Sequence, residues 1–407
     1  MYLKDLLLLT EIVDSIGNLE TNITGIAIDS RRVRPGFLFV AVKGTQTDGH
    51  AFVDKAIENG AAALVVCEPV NAPKVSAVVR VSDTEKLVGS IATRFYGDPS
   101  HKLRLVGVTG TNGKTTVATV LYQLYRGLGY KVGLVSTVCN YIDNRTVEAT
   151  HTTPDPISLN ALLAEMVEAG CDYAFMECSS HSIHQHRIGG LHFEGALFTN
   201  LTRDHLDYHG SFENYRDAKK MFFDGLSKDS FAITNADDRN GMIMVQNCAA
   251  NVKTYSTRAA ADFKGRIIEE SIEGMLLEID GREVSVPFVG RFNVSNLLCV
   301  YGAAVMLGAN RDEILRVMSG LRPVNGRFEA IRSPKGFSAV IDYAHTPDAL
   351  ANVLQAIHDV IGKNGRIITV CGAGGNRDDG EEADASTGLK SCHFYVLLLY
   401  GIFKQIK

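Results

Sequence analysis

The sequence predicts an α/β protein of three domains, of which the central one carries a nucleotide-binding loop on a mostly parallel sheet. Three observations predict this fold. Short apolar runs alternate with helical stretches along most of the chain, as in βαβ units. The segment GVTGTNGKTT (107–116) follows one such run and leads into a helical pattern. The length of 407 residues is enough for two or three domains.

Composition and charge are those of a soluble globular protein. The chain is 45% hydrophobic and 21% charged, with a net charge of −5, which gives no reason to expect nucleic acid or an acidic membrane surface as a partner. Its eight cysteines form no C-x-x-C pair, which favours a reducing compartment. We interpret the start as an amphipathic helix and not a signal peptide, and FYVLLLYGIF (394–403) is too short to span a bilayer. We therefore expect a cytoplasmic protein.

The first predicted domain covers residues 1–98. It alternates the strands GIAIDS, GFLFVAV, AALVV and AVVRV with helical stretches such as FVDKAIENG, which indicates a small α/β domain.

The second predicted domain covers residues 99–325. It opens with KLRLVGVTG, continues with a helix from Lys114 to about Leu128, and ends with a helix around FNVSNLLCVYGAAVMLG. Between them lie the strands KVGLVST, DYAFMECSS, GALFTNLT and FAITNADD, and an antiparallel appendage is predicted for 252–290.

The third predicted domain covers residues 326–407. The strands FSAVIDY and GRIITVCG flank a helix that begins at about Asp348, and the pattern is lost after Asp378.

The strongest local signal for function is GVTGTNGKTT. Its glycines let main-chain N–H groups surround phosphate oxygens at the N-terminus of a helix. Lys114 would reach the β- and γ-phosphates, and the Thr115 hydroxyl would hold a Mg²⁺ ion. The usual G-x-x-x-x-G-K-[ST] spacing is not met, because Val108 stands where the first glycine belongs and Gly110 lies three residues before Gly113. The alternative is a tight strand-to-helix turn that contains Gly-Lys-Thr by coincidence.

Acidic and histidine side chains follow two further predicted strands. Glu177 ends DYAFME, at the strand end where open α/β sheets bind ligands, although it could also be a lone acid in a turn. The segment FTNLTRDHLDYHG (198–210) offers Asp204, His205, Asp207 and His209 as metal ligands or as solvated loop residues.

Five motifs together resemble those of the Mur ligases. They are GTNGKTT (110–116), MECSSHSIHQHRI (176–188), FTNLTRDHLDYHG, DYAHTPDAL (342–350) and GGNRD (374–378), in the family's order. The resemblance covers roughly residues 20–378 and is greatest to the members that add the third residue of the peptidoglycan stem peptide. Folylpolyglutamate synthases share the phosphate loop but are not expected to carry S-S-H-x-x-x-Q-H-R.

The resemblance implies a three-domain Mur ligase architecture. Residues 1–98 would bind the UDP-sugar, residues 99–325 would form the P-loop ATPase domain with a parallel sheet, and residues 326–407 would form an incomplete Rossmann-like domain. Closure of the third domain on the second would complete the ATP site and exclude water.

The resemblance also implies the site residues. Lys114, Glu177, His205 and Lys219 would be catalytic, with Lys219 carbamoylated, and Mg²⁺ would be held by Thr115, Glu177, His205 and Lys219. ATP would contact Gly110, Thr111, Asn112, Gly113, Lys114, Thr115, Thr116, Asn293, Asn296, Arg327 and Asp342. The muramoyl-peptide substrate would contact Ser30, Thr45, Gln46, Thr47, His151, Thr152, Thr153, Ser179, Gln185, Arg187 and Arg377.

The implied reaction is amide formation driven by ATP. The carboxylate of UDP-N-acetylmuramoyl-L-alanyl-D-glutamate would become an acyl phosphate that an incoming diamino acid displaces. Arg377 favours meso-diaminopimelate over L-lysine. The resemblance further implies a monomer. The alternatives are an inactive remnant that only binds nucleotide or UDP-sugar peptide, and a folate-type ligase.

The tail after Asp378 does not resemble the family. The residues DGEEADA (379–385) allow codons that, read one base later, give Thr/Met-Gly-Lys-Arg-Pro-Met, and the family carries G-K-R-P at that place. A one-base frameshift in the gene or its assembly is our hypothesis, and a genuinely divergent acidic tail is the alternative. Since a parallel sheet cut after its second strand cannot bury both faces, we expect FYVLLLYGIF to lack cover.

Overall fold

The computed structural model describes residues 1–44, 47–149, 151–334, 337–344, 346–362, 366–370 and 396–401. Strands and helices alternate through these ranges, which confirms the α/β prediction. The strands are β1 (Ile12–Gly17), β2 (Gly25–Ala27), β3 (Phe37–Val40), β4 (Ala61–Val66), β5 (Ala77–Val81), β6 (Arg104–Thr109), β7 (Val132–Val135), β8 (Asn140–Ile142), β9 (Arg145–Val147), β10 (Tyr173–Glu177), β11 (Gly195–Phe198), β12 (Phe231–Asn235), β13 (Asn251–Ser256), β14 (Phe263–Ser271), β15 (Gly274–Ile279), β16 (Arg282–Val286), β17 (Glu329–Arg332), β18 (Phe337–Asp342), β19 (Arg366–Val370) and β20 (Val396–Gly401).

Several helices begin where the sequence supplies a capping side chain. Asp83, Ser211 and Thr346 each accept a main-chain N–H from the first turn of the helix that follows. The helices are α1 (Leu3–Leu6), α2 (Val53–Glu58), α3 (Thr84–Phe95), α4 (Lys114–Gly127), α5 (Pro156–Glu168), α6 (Ser180–His184), α7 (Leu206–His209), α8 (Phe212–Asp224), α9 (Gly241–Met244), α10 (Arg291–Met306), α11 (Arg311–Met318) and α12 (Pro347–Ile361).

The first helix is shorter than the sequence predicts. The leucine-rich start predicts an amphipathic helix, but α1 ends after one turn at Leu6. Leu9 adopts a φ of 60° and is 99% exposed, and the chain then enters β1 at Ile12. Antiparallel pairing of β1 with β5 satisfies the main chain there in place of helical hydrogen bonds.

One compact unit comprises Met1–Val106 and Lys131–Glu194. Its five-stranded sheet has the order β1-β5-β4-β3-β2, with β2 to β5 parallel and β1 antiparallel at the edge. Alternate residues of β4 enter two apolar cores, Ala63 and Val65 in one and Leu64 in the other. Both faces of this sheet are therefore buried, as expected for parallel strands.

The same unit contains the strands that lead to Glu177. β10 pairs with β7 in parallel, and β8 and β9 continue from β7 in antiparallel. All five residues of β10 are buried. α5 begins after Asp155, whose carboxylate accepts two N–H groups of the first turn, with Pro156 in the first helical position. Glu177 thus lies at the carboxyl end of a parallel strand, as the sequence predicts.

The other compact unit comprises Gly107–Tyr130 and Gly195–Lys407. β11, β12, β13 and β14 pair in parallel in that order, and β14 then forms an antiparallel ladder with β15 and β16. α10 packs on β12, β13 and β14 and against α4. The ladder of β14, β15 and β16 confirms most of the antiparallel appendage predicted for 252–290. Its first residues, 252–256, instead belong to β13, which pairs in parallel with its neighbours.

A four-stranded sheet ends the described part of this unit. Its order is β17-β18-β20-β19, and β20 is antiparallel to both β18 and β19. β18 and β19 therefore run in the same direction, as predicted for strands that flank a helix, but they are not neighbours. The main chain of Val396–Gly401 pairs along both edges. The burial of its side chains is not described, so the expected lack of cover for the tail's apolar run stays a prediction.

Two sequence predictions concern the chain as a whole. Within the described ranges, no helix is both long enough and apolar enough to cross a membrane. Among the residues that the structure describes, Cys67, Cys139, Cys171, Cys248 and Cys299 are free thiols.

Candidate nucleotide and substrate sites

The phosphate loop lies between β6 and α4, and close contacts fix two of its glycines. Gly110 has a φ of 148° and Gly113 a φ of 89°, which residues with side chains rarely adopt. A Cβ on Gly110 would lie 2.0 Å from Thr199 Oγ1, and a Cβ on Gly113 would lie 2.5 Å from Asn296 Oδ1. Neither position accepts a side chain, so the spacing G-x-x-G belongs to a sterically specified loop.

Two lysine ammonium groups converge on main-chain carbonyls of this loop. Lys114 Nζ donates to the carbonyl oxygens of Gly110 at 3.0 Å and Thr111 at 2.8 Å, and Lys219 Nζ donates to that of Gly110 at 2.8 Å. Positive charge is therefore concentrated where the loop meets the N-terminus of α4. A helix N-terminus that follows glycines attracts phosphate groups, and these two cations add to that attraction.

The environment of Lys219 is not the one its local sequence predicts. The segment alone predicts an ordinary lysine on a helix surface, but only 1% of Lys219 is exposed. Its Nζ lies 4.7 Å from the centre of the Tyr215 ring. α8 buries this side because Tyr215, Ala218, Lys219 and Phe222 recur at helical spacing. Lysine is almost never fully buried without a specific role or partner.

Arg327 also contacts the loop. Its Nη2 donates to Thr115 Oγ1 at 3.1 Å, and its guanidinium carbon lies 4.7 Å from the centre of the Tyr343 ring. Asp342 accepts the N–H of Phe328 at 2.7 Å, and burial raises the pKa of its carboxyl group. Arg327 belongs to the third predicted domain, and its hydrogen bond to Thr115 places it at the phosphate loop.

Asn293 and Asn296 lie in the first two turns of α10 and are almost wholly buried. Asn293 Nδ2 donates to the carbonyl of Val289 at 2.8 Å, and Asn296 Nδ2 donates to Asn293 Oδ1 at 3.3 Å. This chain of amides holds Asn296 against Gly113. Asn293 and Asn296, both predicted ATP contacts, are therefore near the loop.

His205 precedes α7 and has a left-handed φ of 54°. Burial lowers its pKa, although the neighbouring Asp204 carboxylate, 3.4 Å away, opposes that shift. The lowered pKa favours the neutral imidazole, which is the form that binds metals. His209, also a candidate from the sequence, is buried against the Tyr215 ring with 5.2 Å between ring centres.

The predicted metal ligands are divided between the two units. Thr115, His205 and Lys219 belong to one and Glu177 to the other. Among the described residues, no group of three His, Cys, Asp or Glu side chains could hold a metal ion. The Thr115 hydroxyl suits a Mg²⁺ ion that arrives with nucleotide phosphates. Lys219 suits a metal only as an anionic carbamate, because its ammonium group repels cations.

Glu177 is held at the end of β10 by main-chain and hydroxyl groups. Only 1% of the residue is exposed, and its Oε1 accepts the N–H of Thr137 at 2.8 Å. Thr153 Oγ1 donates to the Glu177 carbonyl at 2.8 Å, and the N–H of Ser179 donates to Thr153 Oγ1 at 3.3 Å. The Glu177 carboxylate, Thr153 and Ser179 therefore lie together at the end of β10.

Arg187 joins the same group of residues. Its Nη1 donates to the carbonyl of Thr153 at 3.1 Å, and its Nε and Nη2 donate to Gln185 Oε1 at 2.9 and 2.6 Å. Thr152 Oγ1 accepts from Thr137 Oγ1 at 3.0 Å. The structure thus gathers Thr152, Thr153, Glu177, Ser179, Gln185 and Arg187, and it leaves His151 exposed.

The remaining substrate-site predictions are only partly described. Ser30 is buried at the start of a short turn, and its carbonyl accepts Asn59 Nδ2 at 2.8 Å. Thr47 accepts the N–H of Gly44 at 3.1 Å. Within the described part of the chain, Ser30 and Thr47 share no hydrogen bond with the group around Arg187. Thr45, Gln46 and Arg377 lie outside the described residues, as does the proposed frameshift.

Sequence reasoning missed several residues that shape the loop. Thr199 and Asn200 contact it directly, and Thr111 Oγ1 lies 3.1 Å from the Tyr215 hydroxyl. A signal was available, because FTNLT, like DYAFME, ends a predicted strand with polar residues. Thr137, whose N–H donates to Glu177, belongs to none of the motifs identified in the sequence.

Three parts of the chain match domains of one family. Residues 22–96 match the Mur ligase family catalytic domain, residues 108–304 the Mur ligase middle domain, and residues 326–401 the Mur ligase glutamate ligase domain.

Curated relatives include two UDP-N-acetylmuramoyl-L-alanyl-D-glutamate–2,6-diaminopimelate ligases. The protein from Phocaeicola vulgatus is 61% identical over 90% of this chain and 76% of its own length. The protein from Bacteroides fragilis is 57% identical over 94% of this chain and 79% of its own length.

Solved structures agree with these matches. A structure of a UDP-N-acetylmuramoyl-L-alanyl-D-glutamate–2,6-diaminopimelate ligase superposes with a TM-score of 0.77 and 28% identity, over 89% of this chain and 75% of that one. MurF ligase from Thermotoga maritima, solved with ADP, has a TM-score of 0.57 and 22% identity, over 83% of this chain and 74% of that one, which shows a shared fold.

Proposed function

We propose, from the fact that the chain belongs to the Mur ligase family, that it joins UDP-N-acetylmuramoyl-L-alanyl-D-glutamate to meso-diaminopimelate at the expense of ATP. The observation that carries this proposal is the convergence of Lys114 and Arg327 on the phosphate loop. The names of relatives at 57% and 61% identity support the substrates. They favour meso-diaminopimelate over L-lysine and over a folate substrate.

The chemistry requires a carboxylate to approach a triphosphate of the same charge. One carboxylate oxygen of the D-glutamate attacks the γ-phosphorus, ADP leaves, and an acyl phosphate forms. The neutral amine of the diamino acid then attacks the acyl carbon, and phosphate leaves with the bonding electrons. The amine loses a proton to solvent, so atoms and charge balance without a strong protein base.

The protein's task in this reaction is positioning and charge neutralisation. Lys114 would leave the carbonyls of the loop and bind the transferred phosphoryl group. Arg327 would give up its hydrogen bond to the Thr115 hydroxyl and donate instead to a phosphate oxygen, which a guanidinium group binds well.

We propose Mg²⁺ as the metal of this reaction. In the unit that contains the loop, the Thr115 hydroxyl suits one ion, and His205 with a carbamate on Lys219 suits a second. The family resemblance adds Glu177 as a ligand of both ions. Bound there, Mg²⁺ would neutralise charge on the phosphate oxygens. We propose the carbamate because Lys219 is buried and its ammonium group does not suit a metal ligand.

The residues around Arg187 are proposed to bind the peptide part of the substrate. Its guanidinium group is held by Gln185 and by the carbonyl of Thr153, which fixes its orientation. The substrate is anionic, and a fixed guanidinium fork suits a carboxylate. A cytoplasmic location and a monomeric state remain predictions of the sequence.

Phosphate release tests the proposal. The purified chain with ATP, Mg²⁺ and UDP-N-acetylmuramoyl-L-alanyl-D-glutamate should release phosphate only when meso-diaminopimelate is added. Binding of ATP and the UDP-sugar peptide without phosphate release would instead identify the non-catalytic alternative. Release that depends on a folate would contradict the proposed substrate.

A further inference from the structure

We propose that Asn200 is a positioning residue for the nucleotide phosphates and acts by clamping the apex of the phosphate loop. This inference rests on the proposed ATP-dependent function. Asn200 lies two residues after the end of β11, in a motif whose polar residues were considered above only as metal ligands.

The carboxamide of Asn200 matches both polar groups of one loop residue. Its Oδ1 accepts the N–H of Asn112 at 3.0 Å, and its Nδ2 donates to the carbonyl of Asn112 at 3.0 Å. The main-chain carbonyl of Asn200 accepts the N–H of Thr111 at 2.8 Å. Thr199 Oγ1 also donates to the carbonyl of Asn112, at 2.6 Å. Three main-chain groups of the loop are therefore bound by the end of one strand.

The clamp is itself fixed on both sides. The N–H of Leu201 donates to Asp238 Oδ2 at 2.8 Å, and Asn235 Nδ2 donates to the carbonyl of Thr199 at 2.7 Å. Asn235 ends β12, which is a parallel neighbour of β11. The position of the Asn200 side chain is thus determined by the core of the sheet and not by the loop that it holds.

This arrangement determines which loop amides face the phosphates. Because the N–H groups of Thr111 and Asn112 point to Asn200, the amides that remain for phosphate are those of Gly113 and of the first turn of α4, which begins at Lys114. The clamp also accounts for the unusual spacing of the motif. Val108 stands where a first glycine is usual, and an external carboxamide supplies the support. Donors that are fixed before the substrate arrives need no reorganisation during the reaction.

Two substitutions test the clamp. Asn200→Ala removes both side-chain hydrogen bonds, and we expect both the Kd and the KM for ATP to rise about tenfold, since the partly buried N–H of Asn112 loses its partner. In Asn200→Asp the new side chain has nearly the same shape, but a carboxylate oxygen replaces the Nδ2 donor and repels the carbonyl of Asn112. It should therefore weaken ATP binding at least as much as the alanine does. The KM for the UDP-sugar peptide should not change in either variant.

Asn160→Ala is the matched control. Asn160 is also buried and donates from Nδ2 to a main-chain carbonyl, that of Pro156 at 2.9 Å. It lies in α5, in the unit without the loop, so its loss should leave the KM for ATP unchanged.

Three results separate the possible outcomes. Normal ATP affinity in folded Asn200→Asp would overturn the clamp, because only packing would then matter. Hydrogen exchange of the nucleotide-free wild-type protein provides a test that does not depend on whether the variants fold. The amides of Thr111 and Asn112 should be protected, and rapid exchange at both would also overturn the clamp. A wild-type protein that neither binds nor cleaves ATP would refute the proposed function instead.

Discussion

Replacement of Lys219 by methionine is expected to abolish turnover while the protein remains folded. The Lys219 ammonium group is buried, donates to Gly110 and lies over the Tyr215 ring. Methionine has a similar length and fills the same space without charge. Stability and activity should therefore respond differently to one substitution.

The change in stability follows from two opposing contributions. Compared with the unmodified ammonium form of Lys219, the variant loses a charged hydrogen bond of about 1.5–3 kcal/mol and a cation–π contact of up to ~2 kcal/mol. It is also relieved of a desolvation penalty of several kcal/mol for the buried ammonium group. The two nearly cancel, so we expect the free energy of unfolding to change by less than ~2 kcal/mol and Tm by a few degrees.

The change in activity should be much larger. If Lys219 provides an anionic group to a metal in the ligase reaction, its loss should lower kcat by at least about 100-fold, as loss of one transition-state contact does in other enzymes. Phosphate release measures kcat, and a thermal melt measures folding. Lys220→Met is the control, because Lys220 lies on the same helix and pairs with Asp224 at 2.5 Å. A Lys219→Met protein with turnover within twofold of wild type would refute this reasoning.

Three substitutions and one ligand removal give further predictions. Gly113→Ala places a Cβ 2.5 Å from Asn296 Oδ1 at a φ of 89°, so calorimetry should show ATP binding weakened about tenfold; unchanged affinity would contradict the loop geometry. Arg327→Ala should raise the KM for ATP about tenfold, whereas Arg332→Ala, on an exposed strand, should not; equal effects would count against a role at Thr115. Arg187→Lys should raise the KM for the UDP-sugar peptide and not that for ATP, and the reverse would reassign the residue. EDTA should stop phosphate release until Mg²⁺ is restored, and metal-independent turnover would exclude the proposed magnesium sites.

The sequence predicted best those features that depend on neighbouring residues. The strand, loop and helix predicted around GVTGTNGKTT correspond to β6, the phosphate loop and α4. Apolar periodicity and the placement of glycines are local properties, so the sequence alone reveals them. The same holds for β10 ending at Glu177. The family matches confirm the resemblance inferred from five motifs.

Features that depend on distant contacts were not accessible from the sequence. Lys219 looks like a surface residue beside Lys220, and only the packing of α8 shows that it is buried. The clamp joins Asn200 to Asn112, which lies 88 residues earlier in the chain. β20 enters the sheet between two strands that precede it, although local pattern pairs those strands with each other.

The product of the reaction tests the central claim most directly. The chain should be incubated with ATP, Mg²⁺, UDP-N-acetylmuramoyl-L-alanyl-D-glutamate and either meso-diaminopimelate or L-lysine, and the nucleotide products weighed by mass spectrometry. We predict a UDP-N-acetylmuramoyl-tripeptide that contains diaminopimelate, formed in step with ADP. An unchanged UDP-sugar dipeptide in a folded, ATP-binding protein would contradict the proposed ligase activity, and a lysine-containing product alone would contradict the proposed acceptor.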